Sequence, residues 1–227
     1  MSITFVTAYV SPSFDSTSPK TLTPTVAVGD CLVLVASTAN LSPTEPFATA
    51  PSGTGLVVTS RQSLFNGSTT GDLHVWTATV TTGGSPVVSL PCGFVDTWVF
   101  GIYRYSGVSA VGTSVSAAAA GTTISITPGV ANAAVFLVMN DGNGAAGLPT
   151  ANTTAGAYTN ESNVIDSGNG SLYAGHYISV GTAGAKTVGV SAPTGPWSII
   201  AVELQPSITN LATIRLLSQA VKRAAYI

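Results

Sequence analysis

Val28-Gly-Asp-Cys-Leu-Val-Leu-Val35 has a counterpart in the second half of the chain, Val130-Ala-Asn-Ala-Ala-Val-Phe-Leu137. In the first copy Gly29 supplies the backbone freedom of a tight turn, and Asp30 leads into an apolar run. The runs themselves, Cys31-Leu-Val-Leu-Val-Ala36 and Ala133-Ala-Val-Phe-Leu-Val-Met139, have the length of strands. A membrane-spanning helix needs about 20 consecutive apolar residues. Aliphatic and β-branched side chains suit a pleated, buried surface. The chain is therefore expected to bury the same kind of strand twice.

The echo extends outward from these runs. Val80-Thr-Thr82, Gly84 and Val88 return as Val180-Gly-Thr182, Gly184 and Val188. Each set leads to a strand containing Trp, Thr97-Trp-Val-Phe-Gly-Ile-Tyr103 and Pro196-Trp-Ser-Ile-Ile-Ala-Val202. Two tandem domains, or two similar halves of one sandwich with a common core, both fit such an echo. No flexible linker separates the copies, which favours the second. Further strands are expected at 3–10, 25–28, 55–60, 73–81, 86–90, 122–127, 171–180 and 186–191, each rich in Val, Ile, Thr or aromatics and bounded by Gly, Pro, Asn or Asp. The fold class expected is all-β, a jelly-roll β-sandwich over residues 1–206. Two long irregular stretches, 41–51 and 141–154, interrupt it.

Residues 207–227 differ in kind. Leu211, Ile214, Leu217, Val221 and Ala224 recur at three- and four-residue spacing, and Thr209 or Asn210 can cap a helix start. The spacing predicts a short α-helix over about 208–224, the chain's second domain element. Arg215, Lys222 and Arg223 supply three of the seven cations, and no carboxylate side chain lies in the segment. A basic amphipathic helix this short needs a surface on which to bury its apolar stripe. Leu211, Ile214, Arg215, Leu217, Val221, Lys222 and Arg223 are thus the candidate anchor to a partner or to another copy.

Composition removes several function classes. Charged residues make up 7% of the chain, where an ordinary soluble domain has about 25%. Seven cations make a poor face for nucleic acid, and no stretch suggests membrane insertion. No basic and apolar leader follows Met1, so the chain is expected to be made in a cytoplasm without a secretory signal. Weak mutual repulsion suits dense packing beside copies or partners.

Little in the sequence points to reaction chemistry. The nine carboxylates are scattered singly, whereas a glycosidase needs two placed about 5–10 Å apart. Cys31 and Cys92 read as free thiols, and neither forms a metal-ligand spacing with His74 or His176. Asp141-Gly-Asn-Gly144 lacks the further acidic ligands of a calcium loop. The two histidines and Trp76, Trp98 and Trp197 read as structural strand residues. No catalytic residue, metal or cofactor is expected. Tyr158, Tyr173 and Tyr177 are candidates for stacking on a glycan, provided that they are exposed.

Five segments taken in order carry a resemblance: Thr25-Val-Ala-Val-Gly-Asp-Cys-Leu-Val-Leu-Val35, Pro51-Ser-Gly53, Trp76-Thr-Ala-Thr-Val80, Tyr105-Ser-Gly-Val108 and Trp197-Ser-Ile-Ile-Ala-Val-Glu-Leu-Gln-Pro206. Together they resemble the jelly-roll virion proteins of tailed bacteriophages, of minor tail or head decoration type, above all those infecting actinobacteria. The match covers most of residues 20–206. It departs around 140–154 and in the basic C-terminal segment. The resemblance implies a non-enzymatic structural protein on the virion surface, with other tail or capsid-shell proteins and copies of itself as partners. A minor tail protein held by its C-terminal segment is the first expectation. A head decoration protein, or a carbohydrate-binding module that contacts a host-surface glycan, are the alternatives.

Overall fold

The two apolar runs lack polar alternation because the strands they form are buried on both faces. In the computed structural model, which describes residues 2–39, 44–65, 71–93, 97–118, 121–141, 148–152, 154–166, 170–192 and 197–207, every residue of β3 (Cys31–Thr38) and β10 (Ala134–Asp141) is buried. One antiparallel sheet runs from edge to edge through β1 (Thr4–Val10), β7 (Trp98–Ser106), β3, β5 (Leu73–Val80) and β4 (Leu56–Leu64). A second runs through β8 (Val108–Ala117), β15 (Ser198–Pro206), β10, β13 (Gly170–Tyr177) and β12 (Tyr158–Asp166). Two small sheets complete the described strands. One pairs β2 (Lys20–Leu22) with β6 (Val88–Leu90), and the other sets β14 (Lys186–Ala192) between β11 (Thr150–Ala151) and β9 (Thr123–Ile126).

The second half repeats the first strand for strand. Matching β1 with β8, β7 with β15, β3 with β10, β5 with β13 and β4 with β12 turns one large sheet into the other. The β2–β6 pair matches β9–β14, and the isolated bridge Ser52–Ser89 stands where β11 pairs β14. Even the irregularities coincide, with a bulge at Ser60/Gln62 in β4 and at Asn160/Ser162 in β12. Gly84 and Gly184 both have positive φ, and their amides donate to Val26 O and Pro128 O respectively. The echo in the sequence is therefore a duplication of the fold.

Packing explains why the halves stay together. The inner faces of the large sheets form one core, with Val33, Val35, Tyr103 and Tyr105 meeting Phe136, Val138, Ile200 and Val202. Each large sheet is also covered on its outer face by its own small sheet. Leu32, Leu34, Trp76, Trp98 and Phe100 pack under Val88, Leu90 and Phe47. Leu137, Met139, Tyr173, Tyr177, Trp197 and Ile199 pack under Ile126, Val188 and Val190. β4 faces β8 and β1 faces β12, so an approximate twofold axis relates the halves. That axis runs along the strands, from one pole of the molecule to the other. Each half begins and ends at the same pole, here called proximal. Ser207 N donates to Gly107 O at 3.3 Å, and a side chain on Gly107 would run into the Ser2 carbonyl. At the distal pole Asn140 Nδ2 donates to Thr38 O and Ser198 Oγ to Gly71 O, which fastens the halves there.

The all-β expectation holds, and some details differ. Two short strands, β2 and β11, go beyond the expected set. β8 and β12 were not expected, because Val108-Ser-Ala-Val-Gly-Thr-Ser-Val-Ser-Ala117 and Tyr158-Thr-Asn-Glu-Ser-Asn-Val-Ile-Asp166 are small and polar. Both are edge strands of large sheets and need little apolar surface. The strand expected at 25–28 is instead a single bridge from Val26 to Gly84. The C-terminal helix expected over 208–224 lies outside the described residues.

Candidate functional site at the proximal pole

Three points of the chain converge at the proximal pole: its start at Ser2, the junction of the halves at Gly107 and the exit of β15 at Ser207. Beside them opens a crevice of about 540 Å³, lined by Ile3, Ala131, Asn132, Ile178, Pro206 and Ser207 among others. Its twofold counterpart holds only about 100 Å³ and is lined by Asp30, Cys31, Arg61 and Val108–Val111. Among the described residues, the larger crevice mixes aliphatic walls with hydroxyl and amide groups and has no charged side chain in its lining. Its described lining suits burying an apolar segment and satisfying a few backbone groups.

Two positions of the duplicated plan fasten this pole by opposite charges. Arg104 near the end of β7 donates from Nε to Asp30 Oδ2 at 2.6 Å and from Nη1 to Thr25 O at 2.8 Å. Glu203, at the matching place in β15, is fully buried. Its Oε1 accepts the amides of Gly129 and Val130 at 2.8 and 3.3 Å, and Oε2 accepts the Thr113 amide at 2.9 Å. Gly112 leaves room for that carboxylate, since a Cβ there would collide with Oε2. In both halves the last strand is thus tied to the turn that precedes the buried central strand. The sequence shows Arg104 and Glu203 as unrelated isolated charges, and only the register pairs them.

Two clusters of titratable groups lie away from the crevice. At the edge of the common core His176 Nδ1 lies 3.6 Å from Glu161 Oε1 and 3.3 Å from the Tyr105 hydroxyl, with Phe5 against its ring. Burial holds the His176 imidazole down at about 4, and burial pushes the Glu161 carboxyl up. The bulge in β12 turns Glu161 toward His176, just as the bulge in β4 brings Arg61 Nε to within 2.6 Å of Thr77 Oγ1. The second cluster is a line of Ser60, His74 and Glu45. Ser60 Oγ is 2.8 Å from His74 Nε2, and His74 Nδ1 is 3.6 Å from Glu45 Oε1. That order matches a nucleophile, a base and an orienting acid. Acyl transfer also needs an oxyanion site and a substrate cleft. Among the described lining residues of the two crevices Ser60 does not occur, while His74 is stacked face to face on Trp76 at 3.8 Å. Glu45 also accepts Ser63 Oγ and the Phe47 amide, so the line pins the segment around Phe47 over the outer core. Sequence reading missed this cluster because its members come from three separate elements.

The residues singled out in the sequence fare unequally. Tyr173 and Tyr177 are buried in the second outer core. Tyr177 OH donates to Asn152 O and accepts the Gly189 amide, and Tyr158 is half-buried with its ring against Tyr177. Tyr173 and Tyr177 therefore present no face to a sugar and are corrected to core contacts, while Tyr158 keeps part of its surface exposed. Leu211, Ile214, Arg215, Leu217, Val221, Lys222 and Arg223 lie outside the described residues. So do residues 142–144 of the Asp-Gly-Asn-Gly stretch. Cys31 is buried, and burial pushes its thiol up to about 12, whereas Cys92 is half-buried. No group of three or more His, Cys, Asp or Glu side chains is placed to hold a metal among the described residues. Comparison of the chain with protein-family models, curated proteins and solved structures gives no match.

Proposed function

We propose that this chain is a non-enzymatic structural protein of a tailed-bacteriophage virion, a minor tail protein displayed on the particle surface and held by its C-terminal segment. The supporting observation is the polarity of the fold. Both halves begin and end at the proximal pole, and the chain leaves β15 there toward its basic segment. The sequence stretches 41–51 and 141–154 start from β3 and β10 at the distal pole. Their described parts return along the outer faces, with Phe47 in one outer core and Thr150–Ala151 in β11. One end is thus available for attachment and the other for display. In this reading each half is a jelly roll. β1, β7, β3, β5 and β4 form one layer, and β2, β6 and the Ser52 bridge form the other.

The ionisable groups support a structural role. Lys20 is buried against Asp15 and the Trp98 ring, Arg61 is bound to Thr77, and Arg104 to Asp30. Lys20 and Arg104 are thus paired with carboxylates of the fold, while Arg61 is half-buried and bonded to a hydroxyl. Attachment falls to Leu211, Ile214, Leu217 and Val221, each worth roughly 1.5–3 kcal/mol when fully covered. Arg215, Lys222 and Arg223 steer the segment to an acidic surface. Several copies on one particle add avidity.

The test is to separate particles from cells carrying the encoding genome on a density gradient, and to label them with gold-tagged antibody against the chain. Co-migration with particles and label on the tail support the reading. Label on the head assigns the decoration role instead. Absence from purified particles removes the virion role.

A further inference from the structure

We infer that residues 2–6, at the proximal start of β1, form an acid-released latch over His176, which lifts at the β1–β12 seam while the β4–β8 seam stays shut. This inference concerns the isolated protein and does not rest on the virion reading. The backbone sets the limits of the latch. Thr4 and Phe5 pair with Ser106 and Tyr105, the register then shifts, and pairing resumes from Thr7 to Val10. The stretch before this bulge can leave β7 without undoing the rest of the strand. Val6, at the bulge, is 42% exposed. Phe5 packs its ring against those of His176 and Tyr105, at centroid distances of 5.2 and 5.4 Å. Ser2 and Ile3 form part of the proximal crevice wall, so release of the latch opens the crevice on that side.

Under the latch lies an imidazole that water does not reach. His176 is buried, with Nδ1 3.3 Å from the Tyr105 hydroxyl and 3.6 Å from Glu161 Oε1. Around this cluster β7 brings Tyr103 and Tyr105, β12 brings Tyr158 and Glu161, and β3 brings Cys31. β1 and β10 bring the rings of Phe5 and Phe136. Burial pushes the tyrosines and Cys31 up, so they stay neutral in acid. His176 and Glu161 are the members whose charge changes below pH 7. A charged imidazole needs water, and lifting Phe5 admits it. Burial holds His176 at about 4, against 6.5 for a solvated ring, so below 6.5 the opened form binds the extra proton. From pH 7 to pH 5 this raises the opened fraction roughly twentyfold. Glu161, whose carboxyl is pushed up, opposes part of that gain just above 4.5.

The duplication supplies an internal comparison. The twin seam between β4 and β8 is closed by neutral groups. Gln62 Nε2 donates to Ser114 O at 3.1 Å, Ser116 Oγ donates to Gln62 Oε1 at 3.0 Å, and Ser114 Oγ donates to Arg61 O at 3.3 Å. Amide, hydroxyl and carbonyl groups do not titrate between pH 7 and pH 4. The same architecture thus carries one acid-sensitive seam and one indifferent seam.

The test is amide exchange in the unmodified full-length chain at pH 7 and pH 5, corrected for the intrinsic rate at each pH. Residues 3–6 should exchange at least about fivefold faster at pH 5, while residues 59–63 of β4 and 111–116 of β8 stay within about twofold. Equal acceleration at both seams would show general loosening, and no acceleration would show a latch that stays closed. Either result overturns the inference. In His176→Gln the acid response of residues 3–6 should vanish, and its persistence would overturn the inference as well. A second variant leaves the titrating groups in place. Phe5→Ala thins the cover and should raise the midpoint of the His176 ring resonances, followed by NMR, by about one pH unit toward 6.5. An unchanged midpoint would show that Phe5 is not the cover.

Discussion

Glu203→Gln is the substitution whose effect the structure specifies most closely. The side chain keeps its shape and loses one acceptor oxygen. Oε1 takes two backbone amides and Oε2 takes one, so the least costly placement turns the new amide toward Thr113. That loses a charge-assisted hydrogen bond, about 1.5–3 kcal/mol, and sets two donors face to face at a fully buried site. The bonds from Gly129 and Val130 remain but lose their charged acceptor. The sum is about 3 kcal/mol. For a chain of this size each kcal/mol moves the melting temperature by about 2–4 °C, so a fall of about 6–12 °C is expected. Differential scanning calorimetry and urea titration measure it, with Val6→Thr at an exposed position as the control near zero. A change within about 0.5 kcal/mol of the parent would refute the role assigned to this carboxylate.

Three further outcomes follow from other parts of the fold. Gly107 has φ +76° and faces the Ser2 carbonyl, so Gly107→Ala should lower stability by at least about 1–2 kcal/mol in a urea titration. An unchanged midpoint would show that the junction is not tight. Thiol titration of the native protein with a disulfide reagent should report Cys92 quickly and Cys31 only after denaturation, since burial removes both access and thiolate character at Cys31. Two fast thiols would contradict the placement of β3. The His176 imidazole is held down at about 4, so between pH 4 and its ordinary value of 6.5 the unfolded chain binds the extra proton and stability rises with pH. Glu161, whose carboxyl is pushed up, contributes the opposite slope just above 4.5. Melting temperatures of His176→Gln and the parent should therefore converge as pH falls from 6.5 to 4, and parallel curves would refute the assignment.

The central strands were legible because burial on both faces leaves nothing but apolar residues in Cys31–Ala36 and Ala134–Met139. Trp98 and Trp197 were legible as core for the same reason. The edges were not. β8 and β12 lie at the outer edges of their sheet, and Ser, Thr, Asn and Gly at an edge read as loop. The duplication showed itself at turn glycines and tryptophans, where backbone geometry restricts the choice of residue. It was hidden at positions such as Arg104 and Glu203, where the same task is done by opposite charges. The tyrosines misled because an aromatic in a strand has the same sequence signature whether it faces solvent or a second sheet. Tyr173 and Tyr177 face the small sheet that covers β13, and no pattern in the chain reveals that cover. The Ser60, His74 and Glu45 line was invisible for another reason, since long-range register alone brings the three together.

The most direct test of the account is co-sedimentation of the full-length protein, and of a version ending at residue 207, with particles that lack the protein. Calorimetry of the shortened version first establishes that it folds. The account predicts that the full-length protein pellets with the particles and that the shortened one stays in the supernatant. Equal binding by both would place the attachment face on the β-domain itself and contradict anchoring by the C-terminal segment. Binding by neither would contradict the virion role.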